Sequence, residues 1–333
     1  MHKRLIVFLA LLAATLPFAA QAQWTWTPET GRFVNAKRMP RETPELQVEF
    51  ARSLMVDGKY DRALRETYKF EEFYADTEWA DDNLFLRGEI LMADGKLKKA
   101  AKQFQQLITA HPETKLFDKA IAKQYEIGDT YYERAQQRMK HKFRPFKKSP
   151  LKNAIEVYSQ VISCQPFTAA AAQAQYKVGL CHYARGEYKE AAYEYRRVIE
   201  DYSGSDWVDE ASYGLATCYC DASHPAAYDQ TPSKLAVDAI DQFLTRYPDD
   251  ARVAELKPKR EKMRALMAEQ RIQTAKFYER QRKFDSARLC YEVVSKDFAD
   301  TSWAQEAKGW LDQHPKEDTE TQKKVGQLRE ANP

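Results

Sequence analysis

Cys218, Cys220 and His224 form a C-x-C-x3-H run, whose sulfur and imidazole donors are the kind that hold a divalent metal. A structural zinc site draws four ligands and commonly spaces its cysteines C-x2-C, so this run is one donor short and differently spaced. The six histidines are scattered, and the chain contains no HExxH, no GxSxG and no glycine-rich phosphate cradle. No spacing brings a nucleophile to a base. The reading is therefore a chain without catalytic residues, metal or cofactor, in which the cysteines act as small packing residues.

The five cysteines, Cys164, Cys181, Cys218, Cys220 and Cys290, are odd in number and lack the framework spacing of small secreted scaffolds, so one disulfide is possible and most are expected to be packing residues. The compartment is set by the N-terminus. Lys3 and Arg4 precede an apolar run from Leu5 to Leu16, then Pro17 and Ala20-Gln21-Ala22, the small-residue pattern of a signal-peptidase site. Residues 1–22 are predicted to be a leader cleaved before Gln23. No later segment approaches the ~20 apolar residues of a membrane-spanning helix. Loss of Lys3 and Arg4 lowers the formal charge from +3 to +1, which gives no global field for nucleic acid or an anionic membrane, so any electrostatic preference must be local.

The elements that would position any site are read from internal repeats. With 44% hydrophobic residues, 30% charged residues, only 11 glycines and a mean hydropathy of −0.70, the composition points to exposed helices rather than to a β sandwich or a Rossmann-like sheet. Leu86 to Pro112 places Gly88, Gly95, Ala100, Phe104 and Pro112 at the offsets of a tetratricopeptide repeat, and Gly179, Gly186, Ala191 and Tyr195 repeat the frame. Gly88 and Gly179 are expected where paired helices touch, and Gly95 and Gly186 where the chain turns. Phe104 and Tyr195 are expected to fill the gap between neighbouring repeats. Weaker copies give six small anchors, Ala63, Ala100, Ala154, Ala191, Ala236 and Ala287. Their shortest separation, 37 residues, is the basic unit, with insertions in three intervals. The predicted fold is an all-α tetratricopeptide-type solenoid of five to six hairpins over residues 45–313. Residues 23–44 are expected to form an extended N-terminal segment carrying Trp24 and Trp26, and residues 314–333 a disordered polar tail.

A stack of such hairpins lines a groove with its first helices. Groove offsets in the first three units give Val48, Arg52 and Met55, then Phe85, Glu89 and Met92, then Tyr125, Asp129 and Tyr132, a set suited to an apolar or aromatic-bearing peptide, or else to core packing. Arg134 to Pro150 holds seven Lys or Arg and no acid. Its basic patch, Arg138, Lys140, Lys142, Arg144, Lys147 and Lys148, fits anionic lipid headgroups or an acidic partner, or else a solvated helix extension. Asp221 to Ser233 is a proline-containing loop within the fifth unit.

In the C-terminal third, DQTPSKLAVDAIDQFLTRYPDD followed by RALMAEQRIQTAKFYERQRKFDSARLCYEVVSKDFADTSWAQEA resembles BamD/ComL-like outer-membrane barrel assembly factors. The most telling parts are Asp229-Gln230-Thr231-Pro232 before a helix, Tyr247-Pro248 after it, and Lys276-Phe277-Tyr278 in the last hairpin. The resemblance covers roughly Leu46 to Gln313. It implies a periplasmic scaffold, peripheral to the outer membrane, that docks on a barrel insertase through C-terminal repeats and receives unfolded outer-membrane proteins through N-terminal ones, with no cofactor. By position, Arg52, Phe85, Tyr125 and Tyr132 would meet clients, and the loop bearing Asp229, Gln230, Thr231 and Pro232 would face the insertase. The chain departs from the family pattern in the long basic insertion and in lacking an acylated N-terminal Cys, since its first cysteine is Cys164. The expectation is a chain not lipidated there, attached through its partner or through Trp24, Trp26 and the basic segment. The competing reading is a periplasmic adaptor for envelope or peptidoglycan machinery.

Overall fold

The computed structural model of the chain describes residues 24–27, 31–35, 39–140 and 150–315. The leader, the predicted cleavage point and the tail beyond residue 315 lie outside the described residues. The chain divides into two compact units, Met1–Asp129 and Thr130–Pro333.

The first unit opens with an antiparallel hairpin, β1 (Trp24–Thr27) and β2 (Arg32–Asn35), in a segment expected only to be extended. Two helix pairs follow: α1 (Pro44–Val56) with α2 (Tyr60–Tyr74), and α3 (Ala80–Ala93) with α4 (Leu97–Ala110). The chain then enters α5 (Phe117–Lys140). The second unit contains α6 (Pro150–Cys164), α7 (Ala169–Ala184) with α8 (Tyr188–Asp201), α9 (Val208–Asp221) with α10 (Thr231–Arg246), α11 (Val253–Arg280) with α12 (Phe284–Asp297), and a closing α13 (Trp303–Gln313). Within each unit helices pack on neighbours one or two along the chain, as α7 does on α8 and α9, which is the quasi-one-dimensional pattern of a tetratricopeptide solenoid.

Local chemistry sets the helix boundaries. Thr43 caps α1, its Oγ1 accepting the Leu46 N–H at 3.2 Å, with Pro44 preset for the first turn and Glu45 facing the positive end of the helix dipole. Gly95 and Gly186 turn from one helix to the next with φ of +73° and +75°, and an added Cβ would meet nothing, so backbone conformation alone selects glycine there. In the last hairpin Arg282 holds that left-handed position with φ of +58°.

Gly88 and Gly179 are small for a different reason. A Cβ on Gly88 would lie 2.6 Å from the Phe104 ring, and one on Gly179 would lie 2.7 Å from the Tyr195 ring. Phe104 meets Phe85 edge-on at 5.3 Å within its own hairpin. Tyr195 does reach its neighbour, because a Cβ on Gly214 of α9 would also touch its ring, at 2.8 Å. All six alanine anchors are fully buried. The unequal repeat intervals also have visible causes. The interval before Ala154 contains the extension of α5 to Lys140 and residues 141–149, which lie outside the described residues. Residues 222–230 lengthen the fifth unit, and a 28-residue α11 lengthens the sixth.

Candidate functional site

The groove offsets of α1 and α3 divide between packing and exposure. Phe85 is buried against Phe104 and belongs to the core, which corrects its assignment as a groove residue. Val48 is likewise buried, while Met55 lies half-buried against the same cluster. Arg52 Nη1 meets Glu89 Oε2 at 3.4 Å, so these two candidates pair with one another across successive helices, an exposed contact worth about 0–1 kcal/mol. Met92 is half-buried on α3, as are Tyr125 and Asp129 on α5. Tyr132, further along α5 in the second unit, is half-buried too. The first unit therefore offers a polar pair, Arg52 and Glu89, together with the partly covered Met92 and Tyr125 on its helices.

The second unit displays the same face with more aromatic character, a feature the sequence reading did not single out. On α7, Tyr176, Leu180 and Tyr183 recur at spacings of four and three, and on α9 Leu215 and Tyr219 join them, all partly buried over one core cluster. Tyr176 stacks on Trp207 at 5.2 Å. Burial, then the nearby Glu210 carboxylate, pushes the Tyr176 phenol up to about 12, so it stays neutral and a hydrogen-bond donor. The Tyr183 hydroxyl donates to Asp221, and Arg196 Nη2 donates to the Tyr219 hydroxyl at 2.6 Å. The signal that could have revealed this face is the Gly179 frame itself, carried forward to its own groove offsets.

An arginine ties successive units together beneath this face. Arg252, just before α11, reaches Asp250 at 2.7 Å, Asp209 at 3.1 Å and Glu210 at 2.9 Å. Its guanidinium also lies 5.3 Å from the ring centres of both Tyr213 and Phe243. Hydrogen bonds from Arg252 hold the Asp250 carboxyl down at about 2. A depressed carboxyl stabilises the fold above the ordinary carboxylate range and loses that contribution as pH falls through about 2, so the Asp250–Arg252 pair persists through mildly acidic conditions.

The loop between α9 and α10 is built around Gln230. Its Nε2 donates to the carbonyls of His224, Pro225 and Tyr228 at 3.3, 3.0 and 3.1 Å, and its Oε1 accepts from Ser233 Oγ at 2.8 Å. Asp229 Oδ1 accepts both the backbone N–H and the hydroxyl of Thr231, and Pro232 sits in the first turn of α10. The D-Q-T-P motif thus folds the loop. Gln230 is buried and fully engaged, which corrects its assignment to a partner, whereas Tyr228 stands 63% exposed at the surface. Gln230→Ala is expected to cost about 2 kcal/mol, since three carbonyls lose one shared donor, and proteolysis within 222–230 should accelerate. An unchanged urea midpoint and cleavage rate would refute this role.

Of the basic patch, Arg138 is exposed on the last turns of α5, which continues to Lys140. Lys142, Arg144, Lys147 and Lys148 lie outside the described residues. The C-x-C-x3-H run does not converge on a metal site: Cys218 is fully buried and Cys220 half-buried, and burial pushes their thiols up to about 12 and 11, disfavouring the thiolate a metal needs. No group of three or more His, Cys, Asp or Glu side chains poised for a metal occurs among the described residues. Cys218, Cys220 and Cys290 are free thiols.

Stacked hairpins, groove faces bearing half-buried tyrosines and a stapled loop define a tetratricopeptide-repeat protein, a class whose surfaces serve protein interaction. The sequence profile of one tetratricopeptide repeat matches residues 82–114. That of the outer membrane lipoprotein family YfiO matches residues 130–325, more than half of the chain, and the chain belongs to that family. No curated protein matches. Among solved structures, the tetratricopeptide protein TTC0263 of Thermus thermophilus is 15% identical, with 66% of this chain and 98% of that one covered and a TM-score of 0.32. A tetratricopeptide repeat protein of Parabacteroides merdae is 14% identical, with 80% and 98% covered and a TM-score of 0.33. MamA of Desulfovibrio magneticus is 15% identical, with 63% and 98% covered and a TM-score of 0.32.

Proposed function

We propose that this chain is a non-catalytic periplasmic scaffold in the assembly of outer-membrane β-barrel proteins, holding the barrel insertase and unfolded barrel clients. The observation that carries this reading is membership in an outer membrane lipoprotein family over residues 130–325, the region that contains the stapled loop and the aromatic face of α7 and α9. Unfolded barrel strands alternate apolar and polar side chains. Half-buried tyrosines suit such segments, since they pair apolar ring area with a hydroxyl and lose little rotamer entropy on binding. In the first unit, the Arg52–Glu89 pair with Met92 and Tyr125 would receive clients. The insertase would dock on the C-terminal repeats, with Tyr228 rather than Gln230 as the contact from the loop.

Affinity purification from solubilised envelopes tests the reading. The wild-type chain should recover a barrel insertase bearing periplasmic domains, and Tyr228→Ala should reduce that recovery at least ~3-fold with unchanged helicity, the loss of an exposed aromatic anchor. Recovery of cell-wall proteins without any barrel component would replace this reading with the envelope-adaptor one.

A further inference from the structure

The hairpin before the first repeat has two unlike faces. Register sets Trp26 directly opposite Phe33 and Thr27 opposite Arg32, and neighbours along a strand project to opposite sides. Arg32 pairs with Glu72 on α2, so its side of the hairpin is held toward the repeats. The other side carries Trp26 and Phe33 outward as a cross-strand aromatic pair, 52% and 64% exposed.

Two large aromatics are kept in water here although the unit has its own core a short distance away along the chain. Leaving them there costs hydrophobic free energy that a bound surface would recover. Three observations favour a bilayer over a protein groove. A tryptophan with an aromatic partner is the side-chain type that concentrates at the headgroup level of membranes, where the ring is covered and the indole N–H stays wet. The sequence GRFVNAKRMPR, residues 31–41, carries four Lys or Arg and no acid, and with Arg32 taken up by Glu72 it still brings three cations, Lys37, Arg38 and Arg41, to complement anionic headgroups. Finally, the family is one of the outer membrane, and no described helix is long and apolar enough to cross a membrane, so contact by the described residues takes place at the surface.

We propose that the Trp26–Phe33 face of the hairpin is a membrane-contact surface that inserts its two rings into the interface of an anionic bilayer. The contact lies just before the first repeat in the chain.

The test is co-sedimentation of the chain beginning at Gln23 with vesicles of phosphatidylcholine containing phosphatidylglycerol (~30% anionic lipid, a composition that exposes an electrostatic contribution). Trp26→Ser with Phe33→Ser is expected to weaken binding about tenfold or more while the helical circular dichroism is unchanged, and Trp26→Phe with Phe33→Trp to retain it. A second variant, Lys140→Glu, Lys142→Glu, Arg144→Glu and Lys147→Glu, separates the hairpin from the basic insertion. If the serine variant binds like wild type, or if only the charge reversal abolishes binding, the proposal fails. It fails equally if the wild-type chain ignores vesicles and the serine substitutions instead reduce recovery of a protein partner. The insertase experiment is read in detergent, so either result leaves the other standing.

Discussion

Tyr195→Ala is expected to lower the unfolding free energy by about 4 kcal/mol. The ring is 1% exposed and lies between two helix backbones, because both Gly179 on α7 and Gly214 on α9 would bring a Cβ to within 3 Å of it. Large aromatic-to-alanine changes cost about 3–5 kcal/mol, and the position in that range depends on how well the surroundings collapse. Here the walls are glycines. They have no side chain to swing into the void, so beyond what the Tyr176 ring at 5.6 Å can fill, closing it would require two helices to slide together against the packing of Ala191, Val198, Ala211 and Cys218.

The cost is also shared between two interfaces, α7 on α8 and α8 on α9, which are nearest-neighbour couplings in a stacked array. Unfolding should therefore become broader as well as earlier, as the fourth unit uncouples from the fifth. Urea denaturation followed by far-ultraviolet circular dichroism measures both. Tyr195→Phe keeps the ring and should stay within about 1 kcal/mol of wild type. An alanine variant equally close to wild type would show that the ring is not the spacer between the two glycines.

What could be read from the chain alone follows from which residues have a single steric solution. A fully buried anchor such as Ala100 or Ala191 must be small, and a turn at φ near +75° selects glycine, so both leave a fixed mark in the sequence. Phe85 left no such mark. Its offset points toward the groove, but its ring turns back to Phe104, and only the packed geometry decides between those directions. Gln230 sits in a polar motif that reads as a surface loop, yet its amide can reach three carbonyls only after the loop has closed. Arg282 takes a glycine's conformation, which hides the last hairpin's turn from a search for glycines. The aromatic pair of the N-terminal hairpin was visible as residues but not as a pair, since pairing depends on a register that eight strand residues do not specify by themselves.

Arg87 was equally silent, because an arginine beside Gly88 reads as solvated surface, whereas it is 3% exposed and its loss is expected to be expensive. Its Nε donates to Thr67 Oγ1 at 3.1 Å, its Nη2 donates to the Thr67 carbonyl at 3.0 Å and to Glu71 Oε2 at 2.8 Å, and its guanidinium lies 4.2 Å from the Tyr68 ring centre. Removing one member of a buried ion pair costs about 3–5 kcal/mol when it strands the other charge out of water. Glu71 is 49% exposed, so it regains water and that part of the penalty is small. The Thr67 carbonyl also keeps a donor, Asn83 Nδ2 at 3.1 Å. What remains is the void left by a long buried stem, the loss of the donor to a Thr67 hydroxyl that still donates to the Leu64 carbonyl at 2.8 Å, and the lost stacking on Tyr68, together about 3 kcal/mol for Arg87→Ala. Arg87→Met restores most of the stem volume and should recover roughly half of the loss. Glu71→Gln should cost less than about 1 kcal/mol, as expected for a half-exposed partner. Urea midpoints of the three variants at low and high salt separate the contributions. If the glutamine variant were as damaging as the alanine one, and if salt erased both losses, the arginine would be acting through charge at the surface rather than as the buried joint between α2 and α3.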